Sequence, residues 1–180
     1  MSSDETPVVH IKRMEVYVED CSSIYLLDEG RYEASAGPDD SLTHSIGLIE
    51  VEGKGIACLN IATQWGVVDF TVAVADRDPG THFDGYEDIV EISFESLSGE
   101  LLLVGWHTDW DEKKVHNIPP LPVGPGTYRL RYHTQGDAES WSIDGYYLQI
   151  WPAPQHDPAV LKTTSYLFQY LLSPEAWEPQ

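Results

Sequence analysis

Positive charge and long apolar runs are both scarce in this sequence. Of its 180 residues, 10 are Lys or Arg and 30 are Asp or Glu, which gives a formal net charge of −20. Direct nucleic-acid binding is disfavoured, because the phosphate backbone requires a basic face. Binding to an anionic membrane surface is disfavoured for the same reason. No apolar run approaches the roughly 20 residues of a transmembrane helix.

Cysteine is also scarce. Cys21 and Cys58 show no C-x-x-C spacing, and two cysteines are too few for a disulfide framework. Residues 1–7 have neither the basic region nor the apolar region of a signal peptide, and we expect them to be disordered. We therefore expect a cytoplasmic protein with a single domain over residues 8–180.

Short stretches with a period of two dominate the chain, which is typical of β-strands. They lie at residues 11–18, 24–27, 46–51, 56–63, 66–75, 89–94, 101–106, 126–133 and 145–151. Residues 160–172 fit either a helix or a strand, and a slip in the pattern at residues 12–13 indicates a β-bulge. The sequence predicts an all-β fold, an antiparallel β-sandwich of eight or nine short strands, with a closed barrel as the alternative.

The stretch 126–133 alternates most clearly. Tyr128, Leu130 and Tyr132 fall on one face, and two arginines and a histidine fall on the other. We interpret Tyr128 and Trp151 as residues of the sandwich core.

Negative charge is concentrated in residues 76–112, which hold eleven acids and one base. A solvated surface that aids solubility is one interpretation. The other is an anionic patch that steers a basic partner into contact, with Trp106 or Trp110 as an apolar anchor. The predicted partner-binding residues are Asp84, Glu87, Asp88, Trp106, Asp109, Trp110, Asp111 and Glu112.

The loop from Asp76 to Glu87 has carboxylates at positions 1, 3, 9 and 12, which resembles a calcium-binding loop. Its flanks are strands and its turn glycine is displaced, so we interpret it as an acidic hairpin loop, with calcium binding as the alternative. His107, Asp109 and Asp111 have the spacing of residues on one strand face, but zinc sites usually contain more His or Cys. We expect no metal and no cofactor.

Motifs for catalysis are missing from the sequence. There is no G-x-S-x-G elbow and no Gly-x-x-x-x-Gly-Lys phosphate loop. Carboxylate pairs suited to glycoside hydrolysis arise by chance in so acidic a chain. We therefore expect a protein that is not an enzyme.

Several segments carry a resemblance to known proteins. Residues 126–133 (GTYRLRYH) and 147–154 (YLQIWPAP) are similar to a signature in uncharacterised bacterial proteins. The order of residues 14–18 (MEVYV), 28–34 (DEGRYEA), 47–51 (GLIEV) and 125–130 (PGTYRL) resembles the competence protein J nuclease-inhibitor family. The resemblance implies a small acidic β-rich protein that binds and silences a nuclease.

Together these observations predict an intracellular inhibitor or immunity protein for a basic partner, such as a nuclease or a nucleotide-consuming toxin. One alternative is a ligand-binding module for carbohydrate or calcium. The other is a structural assembly subunit without a small-molecule site.

Overall fold

The fold is given by a computed structural model, which describes residues 5–19, 23–32, 44–63, 65–81, 83–105, 114–135 and 145–164. The described residues form twelve β-strands and no α-helix. Short 3-10 turns lie at Glu29–Tyr32 and Phe83–Gly85. Within these ranges, no helix has the length and apolar character needed to cross a membrane. The predicted all-β fold is confirmed.

The strands form two six-stranded sheets. Their bounds are β1 Val9–Val18, β2 Ser23–Asp28, β3 His44–Ser45, β4 Ile49–Gly53, β5 Ile56–Asn60, β6 Gly66–Ala75, β7 Asp88–Ser96, β8 Leu101–Gly105, β9 Val115–Asn117, β10 Gly126–Thr134, β11 Tyr146–Pro152 and β12 Ala159–Thr163. The first sheet has the order β1-β6-β11-β10-β7-β12, and the second has the order β3-β4-β5-β2-β8-β9. All pairings are antiparallel except that of β6 with β11.

The inner faces of the two sheets form one apolar core, as expected for a sandwich. Val16, Phe70 and Leu148 from the first sheet belong to the same buried cluster as Leu26 and Leu103 from the second. Alternate residues of these strands are buried because successive side chains of a strand point to opposite faces. This alternation explains why the sequence pattern located most of the strands.

Tyrosines occupy the centre of this core. Phe70, Tyr132 and Tyr146 are stacked, with ring centroids 6.0–6.2 Å apart. The Tyr132 hydroxyl donates to the carbonyl of Asn60 at 2.9 Å, and the Tyr146 hydroxyl accepts from the amide of Ala62 at 2.8 Å. Burial raises the pKa of Tyr146 to about 12. The hydroxyl groups are therefore buried in neutral, hydrogen-bonded form, which limits the penalty for burying them.

Asp28 joins the two sheets at one end of the sandwich. It lies at the end of β2 and is fully buried. Its carboxylate accepts bonds from the hydroxyls of Ser96 and Ser98, each at 2.6 Å, and from the amides of Gly30 and Leu97, each at 2.8 Å. Ser96 ends β7 of the first sheet, so this carboxylate links the two layers.

Two details differ from the sequence-based expectation, and one open alternative is decided in part. The bulge predicted at residues 12–13 is wrong, because β1 pairs with β6 in an unbroken register from Val9 to Val18. β3 and β9 were not predicted, since two or three residues are too short to show an alternating pattern. Residues 159–163 form strand β12, with a register shift at Leu161, while residues 165–172 lie outside the described residues.

Candidate functional site

The outer face of the first sheet is unusual because its centre is buried and polar. The side chains of Arg129, Arg131, His133 and Gln149 point away from the core, yet they are 0–5% exposed. Trp151 lies on the same outer face, so its assignment to the core between the sheets is wrong. Buried arginines are rare unless they are paired.

Arg131 is the centre of this outer layer. Its guanidinium binds Asp78 through both carboxylate oxygens, at 2.8 and 3.0 Å, and Glu91 at 2.7 Å. It also donates to the side-chain oxygen of Gln149 at 3.0 Å, and its Cζ lies 4.5 Å from the ring centroid of Trp151. Hydrogen bonds from Arg131 hold the pKa of Asp78 below its usual value.

Two surface segments cover this face. Arg131 binds the first, the loop 76–87, through Asp78, and Arg129 binds the second, residues 153–158. It donates to the carbonyls of His156 and Asp157 at 3.1 and 2.9 Å, and to the hydroxyl of Ser93 at 3.2 Å. Its Nε lies 3.6 Å from Glu91. The two arginines therefore attach two surface segments to the same sheet face.

The loop 76–87 is held at several further points. The side-chain amide of Gln149 donates to the backbone carbonyl of Gly80 at 2.8 Å, and the Lys162 ammonium donates to the backbone carbonyl of Phe83 at 2.6 Å. Gln135 donates to the carbonyl of Gly85, and the amide of Glu87 donates to the carbonyl of Thr134 at 2.9 Å. The last two contacts fix Gly85 and Glu87, and they therefore also fix the position of Tyr86 between them.

Tyr86 packs against two side chains of the sheet. Its ring is stacked on Tyr147, with centroids 5.9 Å apart and planes at 17°. Its centroid lies 5.0 Å from that of His133, with the rings tilted by 58°. Burial and the neighbouring Tyr147 raise the pKa of Tyr86, while the charge of Arg13 opposes this rise.

Beside this pair lies a cleft of about 700 Å³, which we call the outer cleft. This volume is in the range of small-ligand sites. Residues of β1, β6, β11 and the loop 76–87 line it: Ile11, Arg13, Met14, Glu15, Asp69, Phe70, Thr71, Tyr86 and Tyr147.

Strand register places the polar residues of the outer cleft. Arg13 lies opposite Thr71, which lies opposite Tyr147, so these three form one row across three strands. Glu15 lies opposite Asp69 in a neighbouring row. Both carboxylates are exposed, and in the described part of the chain no basic nitrogen lies within 4.0 Å of either. Like charges directly opposite each other destabilise a sheet. Arg13 also lines the outer cleft, so its charged lining residues are two carboxylates and one cation.

The predicted partner-binding residues are only partly described. Asp84 is exposed in the 3-10 turn and Glu87 is half-buried at the end of the loop. Trp106, Asp109, Trp110, Asp111 and Glu112 lie outside the described residues.

Asp88 cannot contact a partner in this fold. It is fully buried, and its carboxylate accepts bonds from the hydroxyl of Thr134 at 3.2 Å and the amide of Thr164 at 3.1 Å. Its assignment to the contact surface is wrong, because it begins β7 and its side chain is covered by its neighbours.

The acidic loop does not present its carboxylates as a calcium shell. Asp78 is bound by Arg131, and Asp76 accepts from the amide of Val8 at 2.9 Å. Among the described residues, no group of three or more His, Cys, Asp or Glu side chains is placed to hold a metal ion. The second predicted metal set, His107, Asp109 and Asp111, lies outside the described ranges.

We therefore expect millimolar calcium to leave the melting temperature nearly unchanged. A ligand at 100 times its dissociation constant would add about 2.7 kcal/mol, or roughly 5–11 °C for a chain of this size. Thermal unfolding with calcium and with EDTA measures this. A rise of several degrees that disappears in the double variant Asp78→Asn, Asp84→Asn would instead establish calcium binding by the loop.

Comparison with known proteins bears on the fold. No protein-family model matches the sequence, and no curated protein matches it. A solved structure described as "Crocagin biosynthetic gene J" is similar over 82% of this chain and 99% of its own, with a TM-score of 0.52 and 12% sequence identity. At this identity the likeness concerns the fold alone.

Sequence reasoning did not find the outer cleft. Glu15, Asp69, Tyr86 and Tyr147 are far apart in the sequence, and strand register brings them together. One signal of the neighbouring buried network around Arg131, which does not line the cleft, was present. Arg129 and Arg131 are two of only 10 basic residues, and they alternate on one face of a strand in a strongly acidic chain. This pattern indicates a face that binds carboxylates of its own chain.

Proposed function

We propose that this protein is a cytoplasmic, non-catalytic binding protein for a basic protein partner, and that it acts as an inhibitor or immunity protein against a nuclease or nucleotide-consuming toxin. The distribution of charge carries the proposal. The chain has 30 acidic and 10 basic residues, and two of the basic residues, Arg129 and Arg131, are buried. Two carboxylates, Asp28 and Asp88, are buried as well, so the surface keeps the excess of negative charge that the composition indicates, which favours association with basic proteins.

Other cations are already bound within the chain. Lys54 lies 3.4 Å from Glu95, and Arg77 lies 3.3 Å from Asp76. Lys12 donates to the carbonyl of Asn117, and Lys162 to that of Phe83. These four side chains are not among the residues that line the outer cleft, where Arg13 is the basic residue beside Glu15 and Asp69.

The proposed contact surface combines the outer cleft with acidic residues of the segment 76–112. Asp84 and Glu87 belong to the loop that carries Tyr86, and Trp106 and Trp110 remain proposed apolar anchors within residues 106–112. The resemblance to the competence protein J family supports an inhibitory role, because that family silences a nuclease by binding it.

The association rate should fall steeply with salt. Between 0.01 M and 0.15 M ionic strength the Debye length shrinks from about 30 Å to about 8 Å, and steering contributes roughly 10- to 1,000-fold to such rates. We expect the rate constant to fall by about tenfold or more over this range. The experiment is affinity capture from the native host, identification of the partner, and binding kinetics with the purified partner.

Charge reversal provides a matched control. The triple variant Asp109→Lys, Asp111→Lys, Glu112→Lys should slow association more than the reversal of Glu5, Glu50 and Asp157, which lie outside the acidic segment 76–112. Recovery of acidic partners alone, or kinetics indifferent to salt, would refute the proposal.

A carbohydrate-binding module is the second candidate, and one observation favours it. The outer cleft places the stacked Tyr86 and Tyr147 beside Arg13, Glu15 and Asp69. Aromatic faces next to polar groups suit a sugar ring. Salt-independent binding of a neutral oligosaccharide, measured by calorimetry, would place this candidate ahead of the first.

A further inference from the structure

We propose that the outer cleft holds an arginine side chain of the basic partner, with its guanidinium between Glu15 and Asp69 and its plane against the tyrosine pair Tyr86 and Tyr147. This inference rests on the proposed function and names the group of the partner that is recognised.

The carboxylates supply the first part of the argument. Glu15 and Asp69 are directly opposite each other on β1 and β6, and both are exposed. Elsewhere in sheets such cross-strand positions pair opposite charges. A bound cation would relieve this repulsion, so the loss of the repulsion between Glu15 and Asp69 contributes to the free energy of binding.

The tyrosines supply the second part. Tyr86 and Tyr147 line the same cleft as the two carboxylates, and the bonds to loop 76–87 hold Tyr86 in place. A guanidinium is planar and weakly hydrated, so it stacks on aromatic rings while it binds carboxylates through its edge. A lysine ammonium offers the charge without the planar face. The combination therefore favours arginine.

Two other lining residues fix the direction of entry. Arg13 lies in the row of Thr71 and Tyr147, so its positive charge directs the guest guanidinium to the side of the tyrosine pair nearest Glu15 and Asp69. Ile11 lies two residues before Arg13 on β1, and its side chain is 60% exposed. Ile11 can contact an apolar side chain that neighbours the guest arginine in the partner, and Arg13 can donate to a carbonyl of the partner's backbone. The guest's charged group is left at Glu15 and Asp69.

The test uses three short peptides with the full-length protein: acetyl-Gly-Arg-Gly-amide, its lysine analogue and its citrulline analogue. Citrulline has nearly the shape of arginine and no charge. NMR titration should shift the signals of residues 13–15, 69–71 and 147 with the arginine peptide, more weakly with lysine and not with citrulline. In the double variant Glu15→Gln, Asp69→Asn, the dissociation constant should rise about tenfold, as expected for two exposed ion pairs.

The matched control is the double variant Glu50→Gln, Asp157→Asn. It removes one Glu charge and one Asp charge from sites outside the outer cleft, of which Glu50 is half-buried and Asp157 exposed, and its dissociation constant should stay within about twofold of the wild-type value, because charges far from the cleft are screened. The Glu15→Gln, Asp69→Asn variant should melt no lower than the wild-type protein, since it removes a repulsion. Tyr86→Phe should keep the affinity, and Tyr86→Ala should reduce it.

Three outcomes would overturn the assignment: no binding of the arginine peptide at low salt, equal binding of the citrulline peptide, or equal affinity in both double variants. If the captured partner nevertheless associates in a salt-dependent way, only the outer cleft is refuted. If that association is also independent of salt, the proposed function fails with it.

Discussion

Replacing Arg131 with methionine should lower the free energy of unfolding by about 3–5 kcal/mol, because it removes the nearer cation of a buried ion pair and leaves Glu91 with Arg129 at 3.6 Å as its remaining partner. Glu91 would lose its contact at 2.7 Å, and Asp78 would lose both of its bonds. For a chain of this size the melting temperature should fall by roughly 6–20 °C. Urea denaturation and thermal unfolding measure the effect.

An exposed arginine of the same chain is the control. Arg77 forms ion pairs with Glu5 and Asp76 at 3.7 and 3.3 Å, but these groups are largely in solvent. Arg77→Met should therefore change stability by about 1 kcal/mol or less. Equal losses in the two variants would show that the network around Arg131 contributes no more than a surface ion pair.

Replacing Asp28 with asparagine should lower the free energy of unfolding by about 2–4 kcal/mol, since several buried donors lose a charged acceptor. Asparagine keeps the shape of the side chain but turns an NH₂ group toward the Ser96 and Ser98 hydroxyls that the carboxylate binds at 2.6 Å. Asp84→Asn, at an exposed position of the loop, should change stability by about 0.5 kcal/mol or less.

Asp28 should also contribute to acid unfolding. Burial alone raises its pKa, but hydrogen bonds from Ser96 and Ser98 outweigh burial and hold the pKa below its ordinary value of 3.8. A lowered folded-state pKa gives stability that is fully present above the unfolded-state value and is lost as the pH falls through the folded-state value. The stability of Asp28→Asn should therefore vary less with pH below about 4 than that of the wild-type protein. Parallel acid-unfolding curves for both proteins would contradict this role for Asp28.

The sequence pattern predicted the sandwich well because half-buried strands alternate. Strand β10 shows this most clearly, since Tyr128, Leu130 and Tyr132 all lie in the core. Alternation identifies which residues share a face, but it does not show what covers the other face. The opposite face of β10 is buried under the loop 76–87 and residues 153–158, and no local pattern predicts such a cover.

The outer cleft was beyond prediction for a related reason. A site on a sheet depends on which strands are neighbours and on their register. β6 lies between β1 and β11, and this order brings Glu15, Asp69 and Tyr147 to one surface. Charge density drew attention to residues 76–112 instead, where Asp78 and Asp88 proved to be engaged within the fold.

The parallel pairing of β6 with β11 has a consequence for synthesis on the ribosome. β6 ends at Ala75, but its neighbour β11 is complete only at Pro152. Translation proceeds at about 5–20 residues per second. The edge of β6 that pairs with β11 therefore stays unpaired for several seconds, until β11 has been synthesised. During that time a row of backbone amides and carbonyls is open to pairing with other nascent chains. The fold is thus most vulnerable to aggregation before its C-terminal third has been translated.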